Sequence, residues 1–229
     1  MNRTLLMRLD GPIQAWCEQS TVEGTPVLFP NGFALTSVIA TAMECWRDAD
    51  GKDLAFFCAA VRADDPGRCL DDPQSSERRR KLVKFPQRSF TVDAVFTAAL
   101  SGPERVIEQA AAALARPRRQ VVLGHRCCPP AAPVLLGLSD RSTLSALLAV
   151  PYQGHRSDPP ETYPVAMYTR IGALPPVATP LEGGPATAAD DWVRTMVAAI
   201  PRGHGADVRW DDAVPPQAGP EARVTVEDR

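Results

Sequence analysis

Apolar and polar positions alternate over "TLLMRLDG", which puts Leu5, Met7 and Leu9 on one side of a strand that Gly11 and Pro12 stop. From Leu35 the spacing changes to a helical one. Leu35, Val38, Ile39, Ala42, Met43 and Trp46 form a stripe, so "ALTSVIATAMECW" is predicted to be an amphipathic helix. "LAFFCAAVRAD" is continuously apolar and reads as a central strand covered on both faces. "SFTVDAVFTAAL" alternates best of all, with Phe90, Val92, Ala94, Phe96, Ala98 and Leu100 on one side. "SGPERVIEQAAAALAR" returns to the helical period, with Pro103 suited to the first turn and Glu104 to its positive end. "QVVLG" supplies a fourth strand.

This succession is β-α-β-β-α-β and predicts an α+β, ferredoxin-like (RRM-like) fold. An antiparallel sheet with both helices on one face is expected, the other face being free for a ligand, as in single-strand RNA readers. Residues 1–138 are assigned to this domain and 139–229 to a smaller C-terminal region. In that region "STLSALLAVP" and "TAADDWVRTMVAAIP" read as helices, and "PVAMYTRIG" and "ARVTVEDR" as strands. "TVEGTPVLFPNG" reads as loop, and 151–164 and 172–187 as linkers or partner-facing loops. Residues 64–88 have little periodicity and read as an extended hairpin.

Charge sharpens the picture. The net charge is −2, so no polyanion coats the whole surface. Yet "SSERRRKLVKFPQR" concentrates Arg78, Arg79, Arg80, Lys81, Lys84 and Arg88, and Arg116, Arg118, Arg119 and Arg126 follow further on. Such patches on a mildly acidic chain fit a defined polyanion track. Cationic side chains would neutralise phosphates while Leu82, Val83 or Phe85 wedges against bases. A solvated loop is the competing reading of the same run.

The insert "GHRCCPP" after the fourth strand is open to several chemistries. His125, Cys127 and Cys128 are three metal-ligand types, but adjacent cysteines rarely chelate one ion and no C-x₂-C pair accompanies them, which favours a turn with one buried thiol. His125 as general base for RNA cleavage is a second option. His155 and His204 read as surface residues, Cys45 and Cys58 as core. No nucleotide-binding glycine motif, zinc-protease helix or serine-hydrolase elbow occurs. The six cysteines lack regular spacing, no signal sequence is visible, and no apolar run approaches the ~20 residues a bilayer requires. A reducing, cytoplasmic setting is expected, with no cofactor and no membrane.

Three stretches together resemble one family. "LLMRLDGPIQAW" is similar to its opening strand and Gly-Pro-x-Gln turn, "RSFTVDAVFTAALSG" to its strand after a basic excursion, and "LGHRCCPPAAPVLLG" to its Leu-Gly-Arg-Arg/Lys-Ser-Cys-Pro-Pro segment. The family is the Cas-five (CasD) group of CRISPR-associated RAMP proteins, in the type I-E form. The resemblance implies a non-catalytic Cascade subunit that grips the crRNA 5′ handle and caps the backbone filament. Its partners would be the Cas-seven-type backbone subunit and the Cas-eight-type large subunit, with target DNA held by the complex. It also implies a thumb at 64–88 lying across the RNA, Gln14 and Trp16 contacting handle bases, and Gly124, His125 and Arg126 gripping phosphate or base. Two departures are clear: no Lys or Arg occurs between Arg8 and Arg47, and His125 and Cys127 replace a usual arginine and serine. A related branch cleaves precursor RNA itself, which leaves metal-independent repeat-RNA cleavage as the alternative activity.

Overall fold

The alternation in the first strand is used as the pattern requires. In a computed structural model that describes residues 2–16, 18–22, 25–44, 54, 56–72, 75–78, 81–84, 88–170 and 192–202, β1 (Asn2–Gln14) buries Leu5, Met7 and Leu9 completely on one face. The chain continues through β2 (Glu18–Val22), β3 (Thr25–Phe29), α1 (Gly32–Met43), β4 (Cys58–Asp65), β5 (Arg68–Asp72), β6 (Ser75–Arg78), β7 (Lys81–Lys84) and β8 (Arg88–Pro103). Then come α2 (Glu104–Ala115), β9 (Leu135–Ser139), α3 (Thr143–Ala149), β10 (Thr162–Arg170) and β11 (Trp192–Pro201). The fold is mixed α/β, dominated by one antiparallel sheet.

That sheet runs β11-β10-β4-β8-β1-β9, with β5 also joined to β8. β1 pairs with β8 along its whole length, from Asn2↔Pro103 to Gln14↔Thr91. On its other side β8 is shared: Cys58–Asp65 takes the C-terminal half and Arg68–Asp72 the N-terminal half. One face carries Leu5, Leu9, Val61, Phe96 and Leu100 against Leu35, Val38 and Ile39 of α1 and Ile107 and Leu114 of α2. Asn31 caps α1 by accepting from the Ala34 amide at 2.9 Å, and Glu44 ends it in the left-handed region (φ 62°).

The opposite face is not free, which corrects the expectation of an open platform. Leu144 and Leu147 of α3 pack there on Ala60, Ala99, Val165 and Met167. The apolar run of β4 made covering on both faces necessary.

Three further expectations change. Residues 120–124 are not a strand; the strand that follows α2 is β9, which pairs with β1 from Thr4↔Ser139 to Met7↔Leu135. Pro129, Pro130 and Pro133 offer no N–H, so 121–134 follows the edge of β1 through isolated bonds only: Ala15 N–H donates to Leu123 O, Ala131 N–H to Asp10 O, and Arg8 N–H to Val134 O. Trp192–Pro201 is a strand, not a helix, because its ladder on β10 satisfies that strand's outer edge while Met196 and Ile200 reach the core. Within the expected loop "TVEGTPVLFPNG", Thr21–Val22 and Thr25–Phe29 belong instead to the β2–β3 ladder, registered from Glu18↔Phe29 to Val22↔Thr25. The strand expected at 222–229 and the residues His204 and Cys45 lie outside the described residues. Among those described, no helix is long and apolar enough to cross a membrane.

Candidate nucleic-acid interface

Beyond Asp65 the partner of β8 changes, and the chain runs on through two ladders, the first still part of the main sheet. The first pairs Arg68↔Val92 through Asp72↔Arg88; the second pairs Ser75↔Lys84 through Arg78↔Lys81. This register places Arg78 and Lys81 directly opposite one another, Lys84 at the base of the outer ladder, and Arg88 at the start of β8. Arg79 and Arg80 lie outside the described residues. Nearer the core, Arg68 is exposed and paired with Asp93 at 3.0 Å.

The turn after Leu123 is positioned by the end of β1. Gly124 has φ +84°, and a Cβ there would overlap the Ala15 carbonyl and press on the Trp16 ring. Its backbone freedom therefore serves a close contact within the chain. Arg126 is exposed and His125 half-buried, with His125 Nδ1 3.0 Å from Cys127 Sγ. Cys128 is buried, and burial together with the neighbouring Cys127 pushes its thiol up to about 12. Among the described residues no three His, Cys, Asp or Glu side chains are arranged to hold a metal ion.

Gln14 and Trp16, expected to meet handle bases, are instead buried at 0% and 2% exposure. Gln14 Nε2 donates to the carbonyls of Ala94 (2.6 Å) and Leu9 (3.3 Å), and its Oε1 accepts from Trp16 Nε1 at 2.8 Å. Every side-chain polar atom of the pair except one lone-pair direction is thus spent on the fold. They lock the end of β1 to β8 and shape the seat on which Gly124 rests.

A polar cluster that sequence patterning did not reveal lies on the sheet face carrying α3. The register of β4 slips between Ala63 and Asp65, a bulge that turns the adjacent Asp64 and Asp65 to the same side. Asp64 accepts from Arg62 (2.8 Å), Thr97 (2.5 Å) and the Gln153 amide (3.3 Å). Asp65 accepts from Tyr152 OH and the His155 amide, both at 2.7 Å. From β1, Asp10 meets His155 Nε2 at 3.0 Å and Arg8 Nη2 at 2.8 Å. Arg62 also donates to the carbonyls of Val150 (2.8 Å) and Pro151 (3.0 Å) at the end of α3, its guanidinium 4.8 Å from the Tyr163 ring centre. The signal was present in "VRADD": a guanidinium and a carboxylate two residues apart share one face of a strand that the apolar run had marked as buried. Instead of a linker, residues 150–156 form a strap pinned by three carboxylates. Burial, then the bond to Asp65, pushes the Tyr152 phenol up to about 12, and burial also raises that of Tyr163.

Comparison with known proteins completes the picture. Two solved structures share the fold: a "Crystal structure of Cas protein" (24% identity, TM-score 0.59, 87% of this chain and 95% of that one) and a chain of a "CRISPR RNA-guided surveillance complex" (25% identity, TM-score 0.58, 87% and 90%). No curated protein matches the chain. The sequence model of the family described as CRISPR-associated protein (Cas_Cas5) matches residues 4–216, nearly the whole length, so the chain belongs to that family.

Proposed function

We propose that this protein is a non-catalytic subunit of a type I-E-like Cascade surveillance complex. In this role it binds the crRNA 5′ handle and caps the backbone filament beside the large subunit, in the cytoplasm. The observation that carries the reading is the pair of ladders, β5 on β8 and β6 on β7, along which the basic run of the sequence lies. A hairpin carrying Arg78, Lys81, Lys84 and Arg88 suits a phosphate backbone, and its two-ladder length suits a thumb laid across RNA. The strand order β9-β1-β8-β4, with α1 and α2 on one face, supports a ferredoxin-like core of the RAMP kind under that thumb. Arg126, exposed on a turn anchored by Gly124, offers a second phosphate contact. The family membership and the surveillance-complex relative favour this partner over other single strands.

Expression with the neighbouring complex subunits tests the reading. Small RNAs sharing one 5′ end should co-purify with the protein. Recovery of an RNA-free monomer, with an unaltered complex assembling in its absence, would overturn it.

A further inference from the structure

Cys127 and Cys128 stand apart from the other described cysteines by their company. Cys127 is exposed and Cys128 buried, with their sulfurs 3.7 Å apart. His125 completes the group. Its Nδ1 lies 3.0 Å from Cys127 Sγ, and the Cys127 amide N–H points to the same nitrogen at 3.4 Å. In the tautomer protonated at Nε2, Nδ1 accepts from this amide and stands beside the Cys127 thiol as a proton acceptor. The turn keeps the groups together: Leu123 N–H donates to Cys128 O at 2.7 Å and Cys128 N–H to His125 O at 2.9 Å.

We infer that Cys127 and Cys128 are an oxidisable pair, in which a hydroperoxide oxidises Cys127 and Cys128 then closes a vicinal disulfide. His125 Nδ1 takes the Cys127 proton, and the thiolate attacks the terminal peroxide oxygen. An S–O bond forms, the O–O bond breaks, and the departing oxygen leaves as water or alcohol with the imidazolium proton. The Cys128 sulfur then displaces the sulfenic hydroxyl. The S–S bond forms, the S–O bond breaks, and the Cys128 proton leaves with the hydroxyl as water. Two thiols lose two electrons and the peroxide gains them. The roles are not interchangeable, because burial keeps the Cys128 thiol protonated and away from the oxidant.

Neighbouring Cα atoms stand about 3.8 Å apart, closer than disulfides prefer. The ring is therefore strained and readily reduced, which makes it a reversible mark rather than a staple. Closing it draws the Cys128 sulfur from its buried seat and moves the turn that carries Arg126. The chemical step stands whatever Arg126 binds.

The test uses the full chain and hydrogen peroxide, followed by alkylation under denaturing conditions and tryptic digestion. Cleavage after Arg126 and Arg141 releases "CCPPAAPVLLGLSDR", a peptide holding only these two cysteines. It should lose the mass of two hydrogens and resist alkylation, dithiothreitol should restore both thiols, and His125→Ala should slow the conversion about tenfold or more. Two results overturn the inference. One is both thiols staying alkylatable at a dose that oxidises free cysteine. The other is Cys127 passing to sulfinic acid or an intermolecular disulfide while Cys128 stays free.

Discussion

Arg62 and Asp64, two residues apart on β4, form an ion pair at 2.8 Å with side chains 3% and 0% exposed. The pair is not isolated: Asp64 is also bonded to Thr97 and the Gln153 amide, and Arg62 to three carbonyls at the end of α3 and the start of the strap. Removing one partner leaves the other charge buried. Asp64→Ala should cost about 3–5 kcal/mol, read as a lower denaturant midpoint. Arg68→Ala removes an exposed pair and should cost no more than about 1 kcal/mol. Equal losses at the two sites would refute this ranking.

Gly124→Ala places a methyl group against the Ala15 carbonyl at a positive φ. A loss of about 2–3 kcal/mol is expected, seen as a lower melting temperature, because the overlap adds to the backbone strain. Arg126→Ala, on the same turn but exposed, should leave melting unchanged and weaken RNA binding. Were Arg126→Ala the more destabilising of the two, the turn would not be seated as described.

Tyr152 carries a pH prediction. Its phenol is raised by burial and by the bond to Asp65 from an ordinary value near 10 to about 12. The unfolded chain thus gives up the proton first. The associated stability is complete below pH 10 and is lost as pH rises from there to 12. Tyr152→Phe should flatten this part of the stability–pH curve. An unchanged slope would show that the phenol is not held neutral.

Changing Arg78, Arg79 and Arg80 together to Ala should weaken binding of handle RNA and make it less salt-sensitive. For a single strand, the log–log salt slope falls by about 0.7 for every phosphate that is no longer neutralised. A slope equal to that of the unaltered protein would remove these arginines from the interface.

Incubation of the isolated protein with repeat RNA should yield no product, and His125→Ala should not alter that result. Specific cleavage abolished by the substitution would instead make the chain a nuclease.

The legible parts of the fold were those where one periodicity had no competitor. β1 and β8 alternate cleanly, and α1 and α2 carry stripes that match their buried residues. β11 was not legible because "WVRTMVAAIP" is apolar at nearly every position, and the ladder on β10, invisible locally, decides its state. The segment 120–124 misled for the opposite reason: it has strand composition, but the prolines after it deny the donors a ladder requires. For the site, charge density located the hairpin. It gave no warning that Gln14 and Trp16 close on each other, since an amide and an indole suit a base as well as they suit one another. The strap stayed hidden because Asp10, Asp64, Asp65, Tyr152 and His155 meet only through tertiary contacts.

The sixteen residues of β8 span roughly 50 Å at about 3.3 Å per residue, and a single unbroken stretch of chain serves both the core and the projecting hairpin. The strand turns once on the way, at Asp93 (φ 56°), between the stretch paired with β4 and the stretch paired with β5. A pull on β5 is therefore delivered through β8 to β1, the strand laid along it from Thr91 to Pro103, and a partner that grips β5 also steers the body behind it.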